Sequence, residues 1–228
     1  MISEAASPGS NAAPTRLVLV RHGETDWNRE RRIQGQTDTP LSALGRLQAQ
    51  AIGRRLERDR FDAIYASDLA RAWNTAQAIA EAARRLRSDA PATVAERRLR
   101  EMDFGEWEGR TSAEIAASHP EQHAFSRQRD PDFRIPGGES FRDLYERAVG
   151  CVTELARAHP GQSICIVAHG GILDMLYRHT HGIDLRTPRV FSLYNAAYNC
   201  VEYGDGRFRL EVWGEIAHLD GLSGAGAA

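Results

Sequence analysis

Three segments of the chain share one pattern, in which a short β-forming run is followed by a polar turn and then by a helical pattern. The runs span residues 17–20, 62–66 and 163–168. Residues 17–20 (LVLV) contain no polar break, which is typical of a strand covered on both faces. Strands that alternate with helices form a mostly parallel sheet with helices on both sides. We therefore expect an α/β fold, a three-layer sandwich in which helices flank a mostly parallel sheet.

Capping and turn residues place the other elements around that sheet. Ser42 opens a helical pattern with apolar residues on one face and arginines on the other. Ser140 and Asp143 form a capping box at the start of a helix that runs to about residue 159. The remaining elements are predicted as a helix at 68–83, a weak strand at 92–95, a helix from residue 170, and strands at 197–203 and 208–213 around the turn 204–206.

A chain of 228 residues suits one domain of ordinary size. Residues 1–14 are small and polar, so we expect a disordered leader there, followed by the domain at 15–218 and a flexible tail at 219–228. Residues 110–136, called the excursion below, are polar and carry three prolines that interrupt two short helical patterns. We expect the excursion to leave the main sheet and to cover the active site like a lid.

Composition and charge argue against several classes of function. A formal net charge of −2 disfavours a nucleic-acid partner, because such proteins usually carry a basic surface. No apolar run is long enough for a membrane span, and the first residues lack the basic and apolar regions of a signal peptide. Cys151, Cys165 and Cys200 show no metal-ligand spacing, so we expect buried free thiols in a reducing cytoplasm.

The carboxyl ends of the predicted strands lead into residues with useful chemistry, and ligands of such sheets bind beyond those ends. The first strand leads into Arg21 and His22, and the strand at 163–168 leads into His169. Glu101 follows the weak strand, and Arg71 lies in the first turn of the helix after the second strand. We expect these side chains to meet at one edge of the sheet.

This set of residues suits phosphoryl transfer from a phosphomonoester. The dianion needs donors around its oxygens, and Arg21 and Arg71 each offer a planar fork of N–H groups. Neighbouring guanidinium groups disfavour protonation of His22, which is the candidate nucleophile, with His169 as its electrostatic partner. Glu101 is the candidate acid that protonates the departing alkoxide and later takes a proton from water.

Each of these signals has a plainer explanation when it is taken alone. An Arg-His-Gly sequence after a strand usually just forms a turn, and a His-Gly-Gly sequence usually forms a tight strand–helix connection. Glu101 lies in a charged stretch, where a solvated carboxylate is usual, and Arg71 could simply pair on its helix. Agreement in residue type, order and location favours a site, at which Gly170 would let backbone N–H groups at a helix start approach the phosphate oxygens.

Taken together, these residues resemble the histidine phosphatase superfamily, the group that includes cofactor-dependent phosphoglycerate mutases. The likeness spans about residues 16–213 and consists of a series of motifs in a fixed order. The motifs are LVRHGETDWN at 19–28, QGQTDTPLS at 34–42, SDLARA at 67–72, LRE at 99–101, FGEWEG at 104–109, PGGES at 136–140 and VAHGG at 167–171.

The resemblance implies a phosphoglycerate mutase-like fold, phosphorylation of His22 and proton donation by Glu101. It implies that Arg21, Arg71 and His169 complete the phosphate pocket, and it implies neither a metal nor another cofactor. Three further residues would line the mouth of the pocket near the substrate: Asn28, Gln34 and Gly35. For Asn28 and Gln34 the alternative stays open that their side chains satisfy the backbone of their own loop.

The segment after Glu101 bears on whether water or a second hydroxyl takes the phosphoryl group from His22. Glycolytic mutases of this family continue after the catalytic glutamate with a pattern like Arg-His-Tyr-Gly, whereas residues 102–109 here read MDFGEWEG. This segment is similar to the phosphatase branch, so we expect a phosphomonoester hydrolase, with phosphoglycerate mutase as the alternative. A non-catalytic binding protein is disfavoured because all five pocket residues are present.

The substrate is expected to be a small phosphorylated metabolite whose identity stays open. The excursion offers aromatic and basic residues that would suit a phosphorylated sugar, a nucleotide fragment or an aryl phosphate. The same residues could instead only fasten the excursion to the sheet and meet solvent. They are Phe125, Phe133, Arg127, Arg129 and Arg134. The late strands could form an open edge that pairs with a second subunit, so a homodimer is one expected arrangement.

Overall fold

The computed structural model describes residues 13–222. The predicted leader lies outside the described residues except for its last two, and the predicted tail lies outside them except for its first four. The Ala13 carbonyl accepts a hydrogen bond from the Gly161 N–H (2.8 Å), and Leu219 is buried. Both ends of the described chain therefore contact the body of the domain, and Leu219 does so one residue past the predicted boundary at 218.

One six-stranded mixed sheet forms the centre of the described structure. Its strands are β1 (Thr15–Arg21), β2 (Ala63–Ala66), β3 (Thr93–Ala95), β4 (Ser163–Ala168), β5 (Tyr198–Gly204) and β6 (Arg207–Glu215). They lie in the order β3-β2-β4-β1-β5-β6. The first four in that order are parallel, whereas β5 pairs antiparallel with β1, and β6 pairs antiparallel with β5. The predicted α/β fold with a mostly parallel sheet is confirmed.

The two central strands are apolar on both faces because each face is covered by helices. Leu17 and Leu19 of β1 lie in one core cluster, and Val18 and Val20 lie in the other. This alternation follows from the two-residue period of a strand. Fully burying one such side chain contributes about 1.5–3 kcal/mol, so the central strands supply much of the stability of the domain.

Seven α-helices surround the sheet in residues 13–222. They are α1 (Asp26–Arg29), α2 (Ala43–Leu56), α3 (Ala70–Leu86), α4 (Ser112–Ser118), α5 (Pro120–Ser126), α6 (Phe141–Ala158) and α7 (Gly170–His181). Residues of α2 and α3 bury one face of the sheet, and residues of α6 and α7 bury the other. The Ser42 side chain caps α2, and the predicted box of Ser140 and Asp143 caps α6 reciprocally.

The excursion folds into the two short helices α4 and α5. Pro120 begins α5 instead of interrupting it, because proline at the first helical position has no N–H to leave unbonded. Phe125 contacts Phe133 (ring centroids 5.2 Å apart), and Phe133 contacts Trp107 (6.1 Å). The two aromatic residues of the excursion therefore fasten it to the domain.

Two of the expectations drawn from composition concern membrane-spanning helices and the state of the cysteines. In residues 13–222 no helix is both long enough and apolar enough to cross a bilayer. All three cysteines are buried and free, and burial raises the pKa of the Cys165 thiol to about 12.

Candidate active site

The carboxyl ends of the two central strands bring two histidines together. His22 directly follows β1 and His169 directly follows β4, and the last paired residues of these strands are Arg21 and Ala168. The His22 N–H donates to the Ala168 carbonyl (3.0 Å), which continues the ladder one residue beyond the strand. The two imidazole rings lie with their centroids 5.1 Å apart, and both side chains are buried.

One nitrogen of His22 is left unprotonated by its surroundings. Nδ1 lies 2.7 Å from the Gly23 carbonyl oxygen, and because a carbonyl only accepts, Nδ1 carries the hydrogen. Burial holds the pKa of His22 well below its usual value, and the charges of Arg71 and Arg21 lower it further. The ring is therefore neutral at pH 7, and Nε2 has a free lone pair.

Two buried arginines flank this histidine. Arg21 donates from Nη1 to the Leu193 carbonyl, while Arg71 donates to the carbonyls of Gly35 (2.7 Å) and Thr37 (2.9 Å). In both side chains Nε is buried without a hydrogen-bond partner. Burial lowers the pKa of Arg21 to about 10, and the charges of neighbouring arginines contribute to that shift, so Arg21 keeps its charge at pH 7.

His169 is oriented by a residue that the sequence did not single out. Its Nε2 lies 2.8 Å from the Ser67 Oγ, and its Nδ1 is buried without a partner. Burial, together with the positive charge of Arg71, holds the pKa of His169 well below its usual value. Two signals could have identified Ser67: its position directly after β2 and its place at the start of the SDLARA motif. No motif or predicted strand end marks Asn195, whose side chain donates to the His22 carbonyl (2.8 Å).

Glu101 reaches the site from the loop that follows β3. Its Oε1 accepts hydrogen bonds from the backbone N–H groups of Gly171 (3.0 Å) and Met102 (2.8 Å). Arg147 fixes the same loop by donating to the Glu101 carbonyl (3.2 Å) and to the Glu139 carboxylate (2.7 Å). Two backbone N–H groups thus hold the carboxylate of Glu101, while Arg147 holds the backbone of the same residue.

The two glycines after His169 differ in what they contact. From the sequence we expect backbone N–H groups at these glycines to donate to phosphate oxygens. In the structure the Gly171 N–H donates to the Glu101 carboxylate instead. A Cβ at Gly171 would lie 2.3 Å from Glu101 Oε1, so a side chain there would displace the carboxylate. Gly170 lies between the two charged groups, where a Cβ would be 3.6 Å from Arg21 Nε and 3.8 Å from Glu101 Oε2.

The loop after β1 contains the three residues expected at the mouth of the pocket. The Asn28 Oδ1 accepts from the Thr25 N–H (3.1 Å), and the Gln34 Oε1 accepts from the hydroxyls of Thr25 (2.9 Å) and Thr39 (2.6 Å). Asn28 thus bonds the backbone of its own loop, whereas Gln34 bonds two side-chain hydroxyls of that loop, and a substrate contact by either stays a prediction. Gly35 acts on the site through its carbonyl, which binds Arg71.

A cavity of about 550 Å³ lies beside the histidines and includes Arg21, Glu101 and Gly170 in its lining. Its remaining lining comes from the loop after Glu101, from the excursion, from α6 and α7, and from the segment between α7 and β5. These residues are Met102, Phe104, Arg129, Phe141, Leu144, Gly171, Asp174, Met175, Pro188, Arg189 and Leu193. No motif marks the segment that contains Pro188, Arg189 and Leu193, so sequence reasoning missed these three residues.

The basic residues of the excursion lie in different places. Arg129 lines the cavity beside the histidines and also a neighbouring cavity of about 420 Å³, whereas Arg127 lines only the second of these two. Arg134 pairs with Asp143 (2.7 Å). In the described part of the chain, no group of three His, Cys, Asp or Glu residues could hold a metal ion.

The profile described as "Histidine phosphatase superfamily (branch 1)" matches residues 17–216. Phosphoglycerate mutase-like protein 4 of Arabidopsis thaliana is 37% identical over 208 residues, which cover 90% of this chain and 86% of the relative. The metal-independent phosphoserine phosphatase of the same plant is 36% identical over 213 residues, covering 91% and 84%. The solved structure of YhfR from Bacillus stearothermophilus has a TM-score of 0.80 at 35% identity, covering 90% of this chain and all of that one.

Proposed function

The chain is an enzyme of the histidine phosphatase superfamily, branch 1, and we propose that it hydrolyses a small phosphorylated metabolite through a phosphohistidine formed on His22. The supporting observation is a set of three buried nitrogens without hydrogen-bond partners beside the neutral His22 ring. They are Arg21 Nε, Arg71 Nε and His169 Nδ1. Both arginine Nε atoms are donors, and Nδ1 of the neutral His169 is one when its Nε2 accepts from the Ser67 hydroxyl. Buried donors are rarely left unbonded, and a phosphate group carries enough acceptor oxygens to bind all three.

In the first half-reaction the phosphate group binds to Arg21, Arg71 and His169, and His22 Nε2 attacks phosphorus in line with the ester oxygen. The N–P bond forms as the P–O ester bond breaks, and protonated Glu101 gives its proton to the departing alkoxide. The two guanidinium groups stabilise the charge on the non-bridging oxygens during transfer.

In the second half-reaction the Glu101 carboxylate takes a proton from a water molecule whose oxygen attacks the phosphoryl group. The N–P bond breaks, inorganic phosphate leaves, and His22 returns to its neutral form with Glu101 protonated. The hydrogen bonds from Gly171 and Met102 hold the carboxylate in one position for both steps. No step requires a metal.

Phosphoglycerate mutase is the second candidate, because several of the relatives, Phosphoglycerate mutase-like protein 4 among them, carry mutase names. The two activities share the first half-reaction and differ in whether water or a second hydroxyl accepts the phosphoryl group. The name of the phosphoserine phosphatase favours transfer to water.

A panel of phosphomonoesters that includes phosphoserine and 3-phosphoglycerate, the latter with and without 2,3-bisphosphoglycerate, tests the proposal. We expect release of inorganic phosphate and an acid-labile phosphoenzyme on His22. Interconversion of phosphoglycerates without phosphate release would show a mutase instead. Neither activity, with no trapped phosphoenzyme, would favour a non-catalytic binding protein.

We also propose a cytoplasmic location, which the buried free thiols support, and a homodimer formed through β6, which is an outer strand of the sheet. Light scattering of the purified chain tests the second point, since a monomer mass at micromolar concentration would contradict it.

A further inference from the structure

The cavity beside His22 is lined by Arg129 of the excursion as well as by Arg21. We propose that it selects phosphomonoesters whose leaving group bears a second anionic group, and that Arg129 of the excursion binds that group. This inference rests on the proposed phosphatase activity and specifies its substrate class.

Arg129 is fixed at the cavity wall by contacts that leave part of its guanidinium unused. Its Nε donates to the Arg186 carbonyl (3.1 Å) and its Nη2 to the Leu185 carbonyl (3.5 Å), while Cζ lies 5.9 Å from the centre of the Phe141 ring. These contacts place no carboxylate of residues 13–222 on Arg129. The group is held in place with the N–H donors of Nη1 left for a ligand.

The carboxylate that acts on Arg129 is already paired with another residue. Asp174 lines the cavity, but its Oδ1 accepts from Arg178 Nε at 2.7 Å within α7, so these two charges largely compensate each other. Burial lowers the pKa of Arg129, and the positive charges of Arg178 and Arg189 contribute to that shift. An anion bound to Arg129 in the cavity would stabilise its charged form.

Arg129 is distinct from the groups that surround His22. Neither Arg21 nor Arg129 is among the charges that act on the other, and Arg129 is not among those that act on His22. In the proposed mechanism the phosphate on His22 is bound by Arg21, Arg71 and His169, which leaves Arg129 for a second group of the substrate.

About half of the cavity lining is apolar, and the volume falls in the range of roughly 300–1,000 Å³ usual for small-molecule sites. A leaving group with an apolar middle and a charged far end complements that lining. The apolar side chains are those of Met102, Phe104, Phe141, Leu144, Met175 and Leu193.

Matched substrate pairs that differ only in the second charge test the inference at two distances. The short pair is 3-phosphoglycerate against glycerol 3-phosphate. The long pair is 4-(carboxymethyl)phenyl phosphate against its amide, in which a methylene keeps the two phenol leaving groups similar. Fructose 1,6-bisphosphate against fructose 6-phosphate tests whether a second phosphate serves as well as a carboxylate.

We expect kcat/KM for the acidic member of at least one pair to exceed that of its neutral partner about tenfold, a typical effect of one charge-assisted hydrogen bond. In Arg129→Gln this ratio should fall towards one, and Arg129→Lys should restore part of it. Arg127→Gln is the matched control, because Arg127 is an exposed arginine two residues away that lies outside this cavity, and it should keep the wild-type ratio.

The outcomes separate this inference from the activity on which it rests. If no phosphomonoester is hydrolysed, the proposed function is wrong and the inference fails with it. If all pairs are hydrolysed with ratios near one in the wild type, the enzyme is a phosphatase and the second anion site is wrong. An acidic preference that Arg129→Gln leaves unchanged would overturn the assignment of Arg129.

Discussion

At the scale of single residues, the site combines a neutral histidine with buried cations. Burial is the larger cause of the low pKa of His22, and Arg71 and Arg21 add to it. The unbonded nitrogens of the arginines and of His169 each cost about 1–3 kcal/mol in desolvation. A phosphate ligand would recover that cost, so the groups that destabilise the free site favour ligand binding.

Replacement of His22 tests its proposed role directly. In His22→Ala, kcat/KM should fall roughly 10³-fold or more, and no phosphoenzyme should form, because the attacking nitrogen is gone. His181→Gln removes an exposed histidine at the end of α7 and should leave both measurements unchanged. A phosphoenzyme that persists in His22→Ala in rapid-quench labelling would assign the nucleophile to another residue.

Replacement of Glu101 separates proton donation from binding. Glu101→Ala should slow hydrolysis of an alkyl phosphate by about 10²–10⁴-fold. It should slow an aryl phosphate much less, because a phenolate leaves without a proton. The comparison is made with glycerol 3-phosphate and 4-nitrophenyl phosphate under identical conditions. Equal losses on both substrates would argue against Glu101 as the acid.

At the scale of elements, the start of α7 and the loop after β3 act as one unit. The Gly171 N–H binds Glu101, and Arg147 of α6 binds the Glu101 carbonyl. The excursion contributes in another way, because its aromatic residues anchor it while Arg129 reaches the cavity. That the excursion covers the active site like a lid stays a prediction, whereas the presence of its residue Arg129 in the cavity wall is observed.

Two glycine-to-alanine changes in neighbouring helices should differ in their effects: one should lower activity, and the other should raise stability. Gly171→Ala should lower kcat/KM, with its larger loss on alkyl phosphates, because the added Cβ meets Glu101 Oε1 and also lies 3.0 Å from Leu144 Cδ2. In Gly150→Ala the new Cβ meets nothing within 4 Å, so α6 should gain about 0.5–1 kcal/mol in unfolding free energy with unchanged activity. Urea denaturation and steady-state kinetics measure both effects. Full activity in Gly171→Ala would contradict the proposed coupling to Glu101.

At the scale of the whole molecule, the sheet determines how deeply the site is buried. His22 and His169 follow the two central strands, between helical layers on both faces, and both are almost inaccessible to solvent. A histidine in an unfolded chain titrates near pH 6.5, whereas both of these have lowered pKa values in the folded state. Below pH 6.5 the unfolded chain therefore takes up protons that the folded chain does not.

The unfolding free energy should fall as the pH is lowered from 7.0 to 5.5, by about 1 kcal/mol for each of these histidines. Above pH 7 both histidines are largely neutral in the folded and in the unfolded chain, so neither changes the unfolding free energy further. Urea denaturation of the wild type and of His22→Gln measures the effect, and the variant should show the shallower dependence by about that amount. Identical pH dependence in the two proteins would mean that His22 is protonated in the folded state.

Local physical chemistry in the sequence determined the elements and the position of the chemistry. An unbroken run of β-formers specified β1, the side chains of Ser42 and Ser140 specified where α2 and α6 begin, and the strand ends identified the five pocket residues. These features depend on residues close together in the chain, so a single sequence carries them. The motifs added the family, with which the profile match agrees.

Tertiary structure alone decided the partners of those residues. Ser67 lies 102 positions from His169, Asn195 lies 173 positions from His22, and the Gly171 N–H binds Glu101 across 70 positions. Such contacts depend on strand order and on the packing of distant loops, which local propensity does not encode. Burial, the main cause of the lowered histidine pKa values, is likewise a property of the assembled layers. The sequence named the groups that handle phosphate, and only the packed structure showed which contacts hold them and which nitrogens remain unbonded.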